Sequence, residues 1–376
     1  MCILPIFTRT KNKLLRKIQT NNLGGIFICK ELSKFQTVYL DSISLKRFLL
    51  RVKDTSAFNS VITYTLMRDS CLIIYQVNND ILGTTDGLLF PIKEFRNKIK
   101  LFDKGKKGIN QRNYEEILKL HIEEFGLETD NLGFYLNEHR QTVGSTIYVV
   151  NTLRRMQNLK EVEKDGKPQV YYVAHEVGVQ LQEIIEGLEM AIPELRRFFT
   201  TKSYFEHSGE FEIENKDINH ARLFNGNEEE NVFKYRLLLI LQECFAVMWI
   251  SENYDSRIID RDFVDDYFLY RFITIRMDSI IDSLINLKKF SISQFEELVN
   301  STQGELSIAL EEYMLYSFEK VSELRNTIHY DDVKNFYDYF VEDEVIVNMP
   351  EILNLNRTIF ICIEEFLGIS NIPSQY

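Results

Sequence analysis

Arg325, Asn326 and His329 fall in one short run, Arg-Asn-Thr-Ile-His, and their types suit phosphodiester chemistry. An imidazole titrating near neutrality takes a proton from a hydroxyl or returns one to a leaving oxygen. A guanidinium offers paired donors to phosphate oxygens as charge builds on them. On a helix, the i, i+4 spacing sets Arg325 and His329 side by side. Asn326 orients the ring or contacts the phosphate, with Tyr330 as a weaker helper. The structural alternative pairs Arg325 with Glu319, Glu323 or Asp331, or with Asp278 or Asp282 of the preceding helix. His329 then fills a helix end, its charge supported by the C-terminal dipole.

The element that must hold these residues is Gly304 to Tyr330, which reads as one long helix. Its apolar stripe is Leu310, Met314, Phe318, Val321 and Ile328, the spacing of a core-facing helix. At about 100° per residue, Arg325 and His329 project near the middle of the apolar sector, with Asn326 at its margin. Inward charge needs a partner or a site.

This run, in an all-helical setting from about Asn231 to Gly368, resembles the motif of HEPN domains, many of which are ribonucleases of toxin and phage-defence systems. Three residues separate Arg325 from His329, where the family leaves four to six, and Asn326 follows the arginine as it often does there. The resemblance implies RNA cleavage without a metal, the 2′-hydroxyl of the substrate acting as nucleophile. Arg325, Asn326 and His329 are then the catalytic residues. It also implies a homodimer whose two motif helices face each other, no cofactor, and a possible antitoxin or defence-system partner.

Residues 109–200 carry a second set of candidates. Tyr114–Phe125 reads as an amphipathic helix ended by Gly126, with His121 a core histidine, and Leu132–His139 as a second short helix. Ser145 or Thr146 caps a third helix, Ile147–Asn158. Lys160–Val173 reads as two strands joined at Asp165-Gly166. The order resembles the winged helix-turn-helix of MarR-like and PadR-like regulators, which implies contact with DNA or RNA. Between His139 and Lys167 six basic residues face three acidic ones, a local +3 in a chain of net charge −12. Thr146, Tyr148, Asn151, Arg154, Arg155 and Asn158 take the outward face of the third helix, and Lys164 and Lys167 flank the wing turn; all are types that reach bases or phosphates. The alternative is a protein-binding adaptor with a solvated charged face.

Residues 1–108 read as a small mixed α/β domain of unassigned function, from β-branched runs at Gly25–Lys30, Gln36–Leu40, Val61–Thr65 and Cys71–Val77. Its glycines lack the spacing and following Lys-Ser/Thr of a phosphate loop. Asp103–Gly108 is a linker, 201–230 a polar connector, and 231–376 a helical bundle comprising Val232–Glu252, Phe263–Leu287, the motif helix, Asp332–Phe340 and Ile352–Leu367. The fold class is therefore multidomain α+β.

Composition narrows the classes. The chain has 376 residues, 44 Lys and Arg against 56 Asp and Glu, so a nucleic acid would be met by a local patch and not by the whole surface. The five cysteines are scattered, without a C-x-x-C pair, which fits reduced thiols in a cytoplasmic protein and no zinc site. The N-terminal run places its basic residues after the apolar ones, the reverse of a secretory signal. Leu237–Ile250 is too short and too interrupted by Gln242 and Glu243 to span a bilayer. No HExxH, EF-hand, Ser-His-Asp order or Walker signature is present. Two readings follow. One is a cytoplasmic HEPN-like ribonuclease with a winged-helix module. The other is a non-enzymatic winged-helix regulator or scaffold that dimerises through its bundle.

Overall fold

A computed structural model describes residues 29–52, 58–83, 92, 107–127, 130–157, 169–198, 203–206, 213–327, 330, 335–341 and 348–369. Helices dominate, and a small antiparallel sheet makes the class α+β. The first helices are α1 (Cys29–Val52) and α2 (Phe58–Gln76), the latter running into a π-turn at Val77–Ile81. Three runs expected as strands, Gln36–Leu40, Val61–Thr65 and Cys71–Val77, are therefore helical; of Gly25–Lys30 only the last two residues are described, and they begin α1. The reason is burial on several faces. Phe35, Val38, Tyr39, Leu40, Ile43, Leu45 and Phe48 are all buried, and a helix covered nearly all round shows no clean period, so its β-branched residues imitate a strand.

Next come α3 (Lys107–Phe125), β1 (Leu132–Leu136), β2 (Thr142–Ser145), α4 (Thr146–Gln157) and α5 (Gln169–Ala191). Leu132–Leu136, expected as helix, pairs antiparallel with β2 on one side. On the other side it pairs with β4 (Glu214–Ile218). The turn between β1 and β2 is built by Asn137, whose side-chain oxygen accepts from the amides of His139 at 3.1 Å and Gln141 at 2.9 Å, a local pattern asparagine favours. Gly133 suits the close approach here, since a Cβ would stand 3.0 Å from Cγ2 of the buried Thr146, while the exposed Asp217 carboxylate, at 2.7 Å, could move aside. Of the expected wing, Lys160–Val173, residues 160–168 lie outside the described set, and residues 169–173 of its second strand are instead the start of α5. The stretch expected as a connector holds β3 (Tyr204–Phe205), β4 and α6 (His220–Leu223).

The remaining helices are α7 (Glu228–Trp249), α8 (Phe263–Phe290), α9 (Ile292–Ser301), α10 (Glu305–Tyr316), α11 (Phe318–Asn326), α12 (Phe336–Val341) and α13 (Met349–Leu367), with a short strand β5 (Ile258–Ile259) pairing β3. Reciprocal capping boxes start the two longest. Asn227 and Glu230 open α7, and Asp262 and Asp265 open α8, each satisfying amides that the first turn leaves bare. The helix expected over Gly304–Tyr330 is two helices. Ser317, at φ −122 and ψ −26, leaves the helical region between α10 and α11, and Gly304 supplies the left-handed φ of 85 that begins α10.

α8 is the axis. It is buried on nearly every face and packs against α1, α7 and α11. One apolar cluster contains residues from Phe35 to Ile369 and so runs across positions 108, 200 and 231. Among the described residues no helix is long and apolar enough to cross a membrane.

Candidate functional site

α11 presents Arg325 and Asn326 from its last turn. Val321, Leu324 and Thr327 take the buried face, which leaves the arginine on the rim of the apolar sector, not at its middle. The buried positions Leu306, Leu310, Tyr313, Val321 and Leu324 keep one face across Ser317, and that face is turned away from the expected stripe, so Met314 is 44% exposed while Leu310 and Val321 stay buried. The Arg325 side chain is 43% exposed, and its Nε lies 3.3 Å from Asp278 Oδ2 on α8. Its Nη1 donates to Asn326 Oδ1 at 3.1 Å. Of the partners foreseen for Arg325, Asp278 is engaged, Glu323 accepts from the Tyr339 hydroxyl, and Asp331 lies outside the described residues. His329, expected beside Arg325, lies outside the described residues.

Two anchors fix the segment around it. On its near side, Arg271 of α8 donates from Nη1 to Thr327 Oγ1 at 2.7 Å and to the Leu324 carbonyl at 3.2 Å. On its far side, the Tyr330 hydroxyl donates to Asp41 Oδ2 at 2.8 Å, and its amide donates to Asp80 at 3.2 Å. The same Asp41, on α1, accepts from Arg271 Nε at 3.0 Å and from the Tyr267 hydroxyl at 2.7 Å. Asp41, Tyr267, Arg271 and Tyr330 are each no more than 1% exposed. Burial opposes the Arg271 charge, yet Asp41 beside it holds the guanidinium above its usual range. Burial, and then the Asp41 charge, push the Tyr267 and Tyr330 hydroxyls well above theirs. Both phenols thus stay protonated and keep donating.

A second buried network ties α2 to the same axis: Arg276 donates to Glu243 at 2.7 Å and to Asp69, and Arg68 pairs with Glu243 at 3.2 Å. At the start of α8, Asp265 gathers Arg51 at 2.7 Å, Arg47 at 3.2 Å and the Ser203 hydroxyl at 2.5 Å. Its carboxyl is held below the usual range: burial works the other way, but the Arg51 and Ser203 bonds win. Sequence reasoning missed these residues. Their signal was charge inside apolar runs, as in Tyr-Leu-Asp-Ser-Ile around Asp41 and Tyr-Arg-Phe-Ile-Thr-Ile-Arg around Arg271 and Arg276, because a charge there is tolerated only when paired.

The second set of candidates is placed differently from expectation. Thr146, Tyr148 and Asn151, expected on an outward face of α4, are 8%, 2% and 3% exposed. Thr146 Oγ1 accepts from the Gly133 amide at 3.0 Å and sits 2.9 Å from His121 Nε2. Asn151 accepts from the Tyr235 hydroxyl at 2.9 Å. α4 is covered by α3, α5, α7 and the sheet, so these polar groups serve the interior. Arg154 and Arg155 belong to the last turns of α4, and Asn158, Lys164 and Lys167 lie outside the described residues. His121 is a core histidine, as its spacing suggests, at 0% exposure.

Among the described residues, no group of three or more His, Cys, Asp or Glu is placed to hold a metal ion. Cys71, Cys244 and Cys362 are buried free thiols. Compared with known proteins, the chain matches no family model, no curated protein and no solved structure.

Proposed function

We propose that this protein is a HEPN-like, metal-independent ribonuclease, acting as a toxin or antiphage-defence effector, with its site at the end of α11. The observation that carries the reading is the accessible guanidinium of Arg325 beside the exposed Asn326, on a helix end that two buried anchors hold in place. A backbone phosphate entering there exchanges the Asp278 carboxylate for its own oxygens as the partner of Arg325. His329 takes the 2′-hydroxyl proton as the 2′-oxygen bonds to phosphorus, and returns a proton to the 5′ oxygen as its bond to phosphorus breaks, leaving a 2′,3′-cyclic phosphate; Arg325 meets the charge that builds on the non-bridging oxygens. Anchoring matters because reacting groups held in place before the reaction need little reorganisation during it. A second copy of the chain completes the site with its own α11.

The module at 109–200 adds phosphate contact through Arg154, Arg155, Asn158, Lys164 and Lys167. Thr146 and Asn151 are spent on internal bonds and Tyr148 is buried, so contact there is insensitive to sequence and weakens steeply with salt.

The test is RNA degradation by the purified chain in EDTA. Wild type should cleave, and Arg325→Ala and His329→Ala should each lose at least about a hundredfold with an unchanged circular dichroism spectrum. Intact RNA with wild type, or equal cleavage by the double variant, would sink the reading. A second reading, a non-enzymatic regulator or scaffold that dimerises through its bundle, is favoured by the Arg325–Asp278 pair, which already satisfies the guanidinium in one chain. Host growth separates the two: toxicity of the intact chain but not of the Arg325→Ala, His329→Ala double variant belongs to the nuclease alone.

A further inference from the structure

α10 and α13 run side by side and leave an open cleft of about 700 Å³ between them. Its floor is apolar, from Ala309, Tyr313, Ile352 and Leu355. Its rim is acidic, because Glu305, Glu312 and Glu351 line it and, among the described residues, no lysine or arginine does. Two large apolar side chains stand in water at its edge, Ile308 at 58% and Tyr316 at 70% exposure. The pattern along α10 is regular. Glu305, Ile308, Glu312 and Tyr316 recur every three or four residues on one face, the face that would otherwise pack on a neighbour.

Such a surface is costly to leave uncovered, and its charge says what covers it. A second copy of the chain laid on the same face brings three glutamates against three, and like charges set together across an interface are repulsive. A lipid surface with anionic headgroups meets the same objection. The complementary occupant is a helix whose apolar stripe enters the cleft while its flanking lysines and arginines meet the rim. The length agrees. The 12 residues of α10 span about 17 Å at 1.5 Å per residue, room for three turns of a partner helix, the usual footprint of an apolar helix face in a groove.

We propose that the cleft between α10 and α13 is a docking site for a basic amphipathic helix of a partner protein. Ile308, Tyr316 and Leu355 receive the apolar stripe of that helix, and Glu305, Glu312 and Glu351 receive its cations. Ser317, the hinge between α10 and α11, forms part of the cleft wall, so the occupant sits at the joint from which Arg325 is presented.

The experiment uses the full chain and a labelled synthetic helix of leucine and lysine only, with leucines at i, i+3, i+4 and i+7, read by fluorescence anisotropy. Saturable binding in the micromolar range is expected. Glu305→Lys with Glu312→Lys, or Ile308→Asp alone, should weaken it at least about tenfold. Glu116→Lys with Glu123→Lys, the same charge change on exposed positions of α3, should weaken it no more than about twofold. Absence of saturation overturns the proposal, as does an equal loss from the two charge pairs, which would mark general attraction to an acidic protein. Sedimentation showing self-association that Ile308→Asp abolishes overturns it in favour of a second copy. None of these readings involves RNA or Arg325, so they stand apart from the nuclease test.

Discussion

The guanidinium of Arg271 lies 2.7 Å from the Thr327 hydroxyl, and a residue fully buried in α8 thereby closes the exposed end of α11. The last turn of a helix leaves carbonyls without partners. Here Arg271 also donates to the Leu324 carbonyl at 3.2 Å, while Asp41 on α1 balances its charge. One ion pair thus joins α1, the central helix and the segment that carries Arg325.

Removing half of that pair should cost more than removing both halves. Arg271→Met strands the Asp41 carboxylate in the core, and the expected loss is about 3–5 kcal/mol in urea unfolding. Asp41→Leu combined with Arg271→Met should recover a measurable part, since no charge is then left alone. A double variant as unstable as the sum of the two single ones would show that the pair is not what holds α1, α8 and α11 together.

Arg325 should behave in the opposite way. Its side chain is 43% exposed and its ion pair with Asp278 is open to water, so Arg325→Ala should change stability by less than about 1 kcal/mol. Its effect belongs to phosphate contact, seen as lost RNA cleavage or binding at unchanged unfolding midpoint. A midpoint that falls as far as with Arg271→Met would make Arg325 a structural residue and leave the accessible guanidinium without a task.

Local signals made the C-terminal helices legible. Asn227 with Glu230 and Asp262 with Asp265 are capping pairs three residues apart, and the apolar period follows directly. α7 and α8 are covered nearly all round as well, but their apolar runs are too long for strands, whereas the short β-branched runs in the first two described helices could be read either way. β1 was hidden for another reason. One of its partners, β4, comes some eighty residues later in the chain, and no local pattern announces a long-range pairing. The site was legible in its residue types and in the Asp278 partner foreseen for Arg325. The direction of Arg325 was misjudged because Met314 was placed in the apolar stripe, whereas Leu306, Tyr313 and Leu324 are the buried positions. The outward face assigned to α4 failed because Thr146 and Asn151 are polar side chains satisfied inside and the Tyr148 ring is buried with them, and polarity alone does not distinguish a wet surface from a bonded interior.

His121 gives the chain a dependence on acid whose sign follows from its surroundings. Its ring is fully buried between α3 and α4, with Nε2 on Thr146 and no partner on Nδ1. Burial, helped by the nearby His220, brings its pKa down from 6.5 to about 4. The unfolded chain therefore binds a proton in a range where the folded one does not, so stability falls with pH there. The contribution is fully present above about pH 6.5, shrinks as pH drops, and is gone below about pH 4, for a total on the order of 3 kcal/mol. His220, whose pKa burial also lowers, works in the same direction. Carboxylates titrate in the lower part of this window, so the useful quantity is a difference between proteins. Unfolding midpoints of wild type and His121→Gln, measured from pH 7.5 to pH 4, should converge as the pH falls, because glutamine has no proton to refuse. Parallel curves would mean that the imidazole is charged in the folded state and that its free nitrogen finds a partner in acid.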